Sequence, residues 1–196
     1  MVLQFSFICL IVFSGGSAEI LGVPPNNHGK EAIILVGEQE ETLTANNLKL
    51  TLPILSTEWS LELSFKLSPT PGGNWCNILH FTQNGNQGSV GDRIPAVYWR
   101  TSTKSFTVSL SMNGNVKEVF NPIPDLVVDQ TYNMELHHRY ASGGVYKFSI
   151  FVNGEMTDTQ ENTQARQLYD VKAYIGGPFS LACQGKIKNV KWTNFL

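Results

Sequence analysis

The chain has 196 residues, of which 42% are apolar and 15% are charged, and its formal net charge is -2. This length suits a single well-filled hydrophobic core. The 14 lysine and arginine residues form no cluster, which argues against a protein that binds nucleic acid or an anionic membrane surface.

Residues 1–18 have the pattern of a secretory signal peptide. An apolar run from Leu3 to Phe13 precedes Gly16, Ser17 and Ala18, whose small side chains suit signal peptidase. The run is too short to span a bilayer. No Lys or Arg precedes it, which leaves a buried N-terminal strand or helix as the alternative. We predict a secreted, extracellular protein without membrane insertion.

The cysteines agree with that compartment. Cys9 lies inside the predicted signal, so its removal leaves Cys76 and Cys183 as the two candidates for one disulfide bond in an oxidising environment. Two buried thiols are the alternative. A zinc site is not indicated, because no C-x-x-C motif or closely spaced histidine pair accompanies these cysteines.

The chain after the signal reads as an N-terminal arm, residues 19–31, and one domain, residues 32–196. The apolar run Ala32–Val36 predicts a buried first strand, and alternating leucines predict a second at residues 48–53. Strict alternation of apolar and polar residues over Trp59–Leu67 predicts a long strand with one buried face.

Further strand patterns follow at short intervals. Asn113-Gly114 and Asn153-Gly154 predict tight hairpins, because this pair accepts the positive φ angles of a type I′ turn. The phase changes near Lys188-Asn189, which predicts a bulge. Gln164–Tyr169 is the one candidate for a short amphipathic helix. Together the patterns predict an all-β fold, a two-sheet antiparallel jelly-roll sandwich. The remaining strands are predicted at residues 77–82, 96–100, 106–112, 116–120, 131–140, 145–152, 155–160, 171–175 and 186–192.

Five segments carry a family resemblance. W-S-L-E-L-S-F-K-L, N-I-L-H-F-T, G-D-R-I-P-A-V-Y-W, Y-K-F-S-I-F-V-N-G-E and G-K-I-K-N-V-K-W, in this order, resemble a laminin-G-like domain of the concanavalin A-like superfamily. The second and third are similar to secreted cnidarian proteins, including coral skeletal organic matrix proteins. The resemblance implies non-catalytic binding of extracellular glycans or matrix glycoproteins, without a cofactor except for one calcium ion in some members.

A glycan hydrolase of the same fold is the main alternative, and a purely structural matrix component is a third. The enzymes of the superfamily that the chain resembles carry E-x-D-x-x-E or E-x-D-x-E on one strand, and this chain has neither motif. Glu58 and Glu62 would lie roughly 13 Å apart on one strand. Retaining hydrolysis needs two carboxyl groups about 5 Å apart, so we expect no enzyme activity.

The candidate ligand-binding residues lie on predicted solvent-facing sides of strands. His137 and Arg139 share one such face, and Tyr98 and Arg100 share another. If their strands are neighbours, the four side chains form one patch, beside a loop that carries Trp75. Arginine suits bidentate contact with carboxylate or sulfate, so we predict an acidic or sulfated glycan as the ligand. Ordinary solvated side chains are the alternative.

Strand phase assigns two polar or amphipathic side chains to the core instead. His138 alternates with Tyr132, Met134 and Leu136, and Trp99 alternates with Val97 in the same way. We therefore predict that both side chains are buried structural residues.

Asp92 is a weak candidate for a metal ligand. It lies in a predicted loop, as do Asn121, Asp125 and Asp129, and calcium takes six or more oxygen ligands from converging loops. The alternative is that Asp92 stabilises its own turn, together with Arg93.

Overall fold

The computed structural model describes residues 29–122 and 126–196. The predicted signal and residues 19–28 of the arm lie outside the described residues. Within the described ranges the chain forms thirteen β-strands and no helix, so no helix there is long and apolar enough to cross a membrane. The strands are β1 Ile33–Val36, β2 Glu41–Thr42, β3 Asn47–Leu55, β4 Trp59–Leu67, β5 Trp75–Thr82, β6 Ala96–Arg100, β7 Ser105–Met112, β8 Asn115–Phe120, β9 Thr131–Ser142, β10 Val145–Val152, β11 Glu155–Asn162, β12 Leu168–Ile175 and β13 Gly185–Asn194.

The strands form two antiparallel sheets that pack face to face. The seven-stranded sheet has the order β1-β13-β4-β9-β10-β11, with β2 also paired to β13, and the six-stranded sheet has the order β3-β12-β5-β6-β7-β8. This is a jelly-roll sandwich, so the predicted fold class is confirmed.

The core lies between the sheets and is built from inward-facing apolar side chains. Strand β4, near the middle of its sheet, buries Leu61, Leu63, Phe65 and Leu67. The Phe65 ring lies 4.6 Å from the Phe106 ring of the opposite sheet, edge to face. Each such side chain contributes roughly 1.5–3 kcal/mol by leaving water.

The two predicted core side chains are buried as expected. Trp99 faces inward from β6. His138 donates from Nδ1 to the carbonyl oxygen of Thr57 at 2.6 Å, and its Nε2 accepts from the Asn162 amide at 3.0 Å. Both ring nitrogens are therefore satisfied, which makes His138 a structural residue.

The predicted turns and bulge are also present. Asn113 and Gly114 have φ angles of 51° and 78°, and Asn153 and Gly154 have 52° and 84°, as type I′ hairpins require. The pairing of β13 with β4 shifts register between Lys188 and Lys191, which confirms the bulge.

Two local predictions are wrong. The segment at residues 164–169 forms no helix, and β12 already begins at Leu168. The first strand is not fully buried, because β1 lies at the edge of its sheet and Ile34 is 57% exposed. A continuous apolar run does not distinguish a central strand from an edge strand.

Cys76 and Cys183 form a disulfide bond with an S–S distance of 2.07 Å, as predicted. Cys76 lies on β5, and Cys183 lies in the connection between β12 and β13. Both residues are buried. The bond therefore anchors the 176–184 connection beside the first residues of β5.

Replacing both cysteines by alanine should lower the free energy of unfolding by about 4 kcal/mol, because the bond closes a long loop in the unfolded chain. The bonded cysteines are 107 residues apart. Urea denaturation followed by tryptophan fluorescence measures the change. Thiol-reduced wild type is the matched control and should unfold at the same urea concentration as the variant. Equal stability of variant and oxidised wild type would contradict this account.

Candidate functional site

The structure separates the residues that were predicted to form one patch. Strand β9, which carries His137 and Arg139, belongs to the seven-stranded sheet, whereas β6, with Tyr98 and Arg100, belongs to the six-stranded sheet. The outward faces of two packed sheets point in opposite directions. The prediction of a single patch is therefore wrong, because strand alternation does not specify which strands are neighbours.

The β9 residues are held in internal contacts. Arg139 is only 6% exposed; its Nε lies 3.2 Å from Glu58 Oε2, and its guanidinium lies 4.1 Å from the centre of the Phe195 ring. His137 is buried with Nε2 3.2 Å from Glu135 Oε2. Burial, aided by the Arg139 charge, lowers the pKa of His137 to about 4. At neutral pH this contact is therefore a hydrogen bond from a neutral ring and not an ion pair.

The outward face of the six-stranded sheet carries an open groove of about 420 Å³, here called the sheet groove. It crosses strands β5, β6, β7 and β8, which at 4.8 Å per strand gives a length of roughly 14 Å. The lining contains aromatic, amide, hydroxyl and basic side chains. It includes Trp75, Asn86, Arg93, Tyr98, Thr107 and Lys117.

Trp75 is the exposed aromatic residue of the sheet groove. Its side chain begins β5 just after the Pro/Gly-rich loop and remains 42% exposed. The Arg100 guanidinium lies 5.0 Å from the centre of the Trp75 ring, and the Tyr98 ring stands edge-on to it at 6.4 Å. The structure therefore places a partly exposed tryptophan ring at one end of the groove.

Tyr98 forms part of the groove floor. Its ring is only 6% exposed and lies under the Arg93 guanidinium at 5.0 Å. Its hydroxyl lies 3.1 Å from His80 Nδ1 and 3.2 Å from Asn86 Oδ1. Burial raises the pKa of Tyr98 to about 12, so the hydroxyl stays neutral at physiological pH.

His80, which the sequence did not single out, supports Tyr98 from below. Its Nε2 donates to the carbonyl oxygen of Asp92 at 2.7 Å, which leaves Nδ1 as the acceptor for the Tyr98 hydroxyl. Burial lowers the pKa of His80 to about 4. Its outward position follows from a register shift in β5 between Asn77 and Leu79, which no sequence pattern indicated.

Arg93 is a fixed cation at the groove. Its Nε donates to the Asn86 carbonyl oxygen at 2.7 Å, one terminal nitrogen donates to Asn86 Oδ1 at 3.3 Å, and the other donates to Ser109 Oγ at 3.3 Å. These bonds join the 83–93 loop to strand β7. A guanidinium held in this way loses little conformational freedom when a ligand binds.

Asp92 stabilises the turn of its own loop, which was the alternative to metal binding. Its Oδ2 accepts from the backbone amides of Gly88 and Ser89 at 2.6 and 2.9 Å. A Cβ atom at Gly85 would overlap the Asp92 carboxylate, so this turn needs glycine. Asp129 instead pairs with Lys66 at 2.9 Å.

The other residues that were predicted to join Asp92 in a metal site have partners of their own or lie outside the described residues. Asn121 Oδ1 accepts from the Thr107 hydroxyl at 3.0 Å, and Asp125 lies outside the described residues. Across residues 29–122 and 126–196, no group of three or more His, Cys, Asp or Glu side chains is arranged to hold a metal ion.

No family model and no curated protein matches the chain. Among solved structures, it is similar to a native heptameric SAP-like pentraxin from Limulus polyphemus, with 18% identity, a TM-score of 0.51, and 85% of this chain and 76% of that chain covered. It is also similar to the receptor-binding domain of botulinum neurotoxin D, with 12% identity, a TM-score of 0.52, and 83% and 49% covered. These likenesses show the fold alone.

Acidification should destabilise the protein between pH 6.5 and about 4. Burial lowers the pKa of His80, His137 and His138 from 6.5 to about 4 in the folded state, so below pH 6.5 the unfolded chain takes up more protons. The stability from each neutral histidine is complete above pH 6.5 and is lost as the pH falls towards 4, by at most about 3 kcal/mol per residue. Urea denaturation at stepped pH values measures this loss.

The matched control for this pH dependence is His137→Gln, which removes one titrating ring. Its free energy of unfolding should fall less steeply between pH 6.5 and 5 than that of wild type. Equal slopes for both proteins, or constant stability over this interval, would contradict the assignment of neutral buried histidines.

Proposed function

We propose that the protein is a secreted, non-catalytic protein that binds a glycan in the sheet groove. The observation that carries this proposal is the exposed Trp75 ring at one end of an open groove with a polar, hydrogen-bonded floor. Binding sites for small polar ligands combine aromatic surface with a few well-placed polar groups. A tryptophan ring offers a rigid apolar face to the carbon-bound hydrogens of a sugar, while the side chains around it serve the hydroxyl groups.

The disulfide bond supports the extracellular part of the proposal. The Cys76–Cys183 bond is typical of oxidising compartments, and the predicted signal peptide at residues 1–18 is consistent with it. Within this setting, the sequence resemblance favours a laminin-G-like matrix or adhesion protein, including a component of a skeletal organic matrix. Matrix glycoproteins that carry the glycan are the partners that this role implies.

The chemistry of the groove favours binding over hydrolysis. In the part of the chain that the structure describes, no acidic residue lines the groove. Asp92, directly behind it, uses Oδ2 to hold two backbone amides. Glycoside hydrolysis by the usual route needs a pair of carboxyl groups beside the scissile bond. Glu58, one of the acids considered above, pairs with Arg139 on the other sheet.

Trp75→Ala should weaken glycan binding at least tenfold, equal to about 1.4 kcal/mol, because the stacking surface is lost. The side chain is exposed, so the fold should persist. Titration calorimetry with glycans selected on a glycan array measures the affinity. Tyr140→Ala removes a similarly exposed ring from the seven-stranded sheet and is the matched control. If both variants bind like wild type, the groove is not the glycan site.

Incubation of the protein with β-glucans should release no new reducing ends. The expected result follows from the missing carboxyl pair at the groove. A reducing-sugar assay over a long incubation measures it, with a commercial glucanase as the positive control. Release of reducing ends that is lost in Trp75→Ala would contradict the non-catalytic role and identify the groove as an active site.

A further inference from the structure

We infer that the ligand of the sheet groove is an acidic polysaccharide, bound through an internal segment of its chain that crosses strands β5 to β8. This inference rests on the proposed function, since it names the class of glycan that the same groove takes. It depends on three features of the groove: its positive charge, its open end and one arginine that the protein holds in place.

The groove is positively charged, although the chain as a whole is not. Arg93 and Lys117 line it, and Arg100 lies beside it against the Trp75 ring. No acidic residue is among the lining residues that the structure describes, whereas the formal net charge of the chain is -2. A neutral sugar would gain nothing from this concentration of positive charge. A carboxylate or sulfate group gains both charge attraction and hydrogen bonds.

Arg93 offers an anionic group a cation that the protein already holds in place. Its guanidinium lines the groove and lies 5.0 Å from the centre of the Tyr98 ring. It donates hydrogen bonds to Asn86 and Ser109. Because the protein already orients the guanidinium, an anion here meets a prearranged contact.

Lys117 provides a second cationic contact of a different kind. It lies exposed on β8, two strands away from Tyr98 on β6. Its ammonium is a point charge on a flexible stem, which suits repeated anionic groups of variable position. Two cations at separate points along the groove match a ligand with more than one negative charge.

The shape of the groove favours an internal segment over a chain end. It runs across four strands towards β8, which among the described strands pairs with β7 alone and forms the edge of the sheet. The groove passes that edge without a wall from a further strand. A polymer can continue beyond β8 at this end, whereas a site for a chain end needs a blocked terminus.

The test uses the full chain with its disulfide bond intact and two polymers of equal length, dextran and dextran sulfate, with alginate as a carboxylate polymer. At low salt, at least one anionic polymer should bind at least tenfold more tightly than dextran by titration calorimetry. Raising the salt to physiological strength should weaken this binding, since exposed charges are screened over about 8 Å. Reduction of the reducing end to an alditol should leave the affinity unchanged.

The matched variants locate the charge effect. Lys117→Gln should weaken the binding of the anionic polymer at least threefold. Lys147→Gln makes the same charge change on β10, on the other sheet, and should have no effect. Equal losses in the two variants would show unspecific attraction of a polyanion and would overturn the inference.

The remaining outcomes separate this inference from the proposed function. Equal, salt-independent binding of dextran and dextran sulfate that is lost in Trp75→Ala would retain a glycan groove and overturn the acidic ligand. A need for an unmodified reducing end would overturn binding of an internal segment. No binding of the anionic polymers, together with Trp75-dependent binding of a neutral glycan on the array, would again overturn only the acidic ligand. If no glycan binds, both proposals fail.

Discussion

Aromatic contacts between the two sheets are the constraint on which the rest of the molecule depends. Trp192 of the seven-stranded sheet stacks on Trp59 at 4.9 Å and packs against Phe81 of the six-stranded sheet at 4.8 Å. Rings of this size fill the space between the sheets and dominate its burial energy. They also set the phase of the strands: because Trp99 and Phe106 point inward, their neighbours Tyr98 and Thr107 must point outward, into the groove.

The groove floor is built from polar side chains in close mutual contact. Tyr98 donates its hydroxyl proton to His80, the Asn86 side-chain oxygen lies 3.2 Å from the same hydroxyl, and Arg93 donates to Asn86. Burial keeps the imidazole and the phenol neutral. A buried polar network of this kind is rigid when its members are paired and costly when one is missing. The same network that stabilises the loop therefore also presents the arginine at a defined position.

The two outer faces of the sandwich differ for a physical reason. On the seven-stranded sheet, the C-terminal Phe195 covers Arg139, and Glu58 neutralises it, so that its positive charge is already satisfied within the fold. On the six-stranded sheet, the positive charges of Arg93 and Lys117 border open space. Two arginines on the outer sides of the sandwich thus have different roles, because Arg139 is paired and covered within the fold whereas Arg93 lines an open groove.

Local patterns in the sequence determined the all-β sandwich, the Asn113-Gly114 and Asn153-Gly154 hairpins, the burial of His138 and the pairing of Cys76 with Cys183. The fold and the burial of His138 follow from the alternation of apolar and polar residues, and the hairpins follow from turn stereochemistry. The disulfide bond follows because the predicted signal contains the third cysteine and leaves one pair. Only the tertiary structure decided that Tyr98 and Arg139 lie on opposite sides, that His80 supports the groove, and that Arg93 bonds to Asn86 and Ser109. The physical reason is that alternation states whether a side chain points inward or outward, whereas its neighbours depend on strand order, and strand order follows from long-range packing of the core.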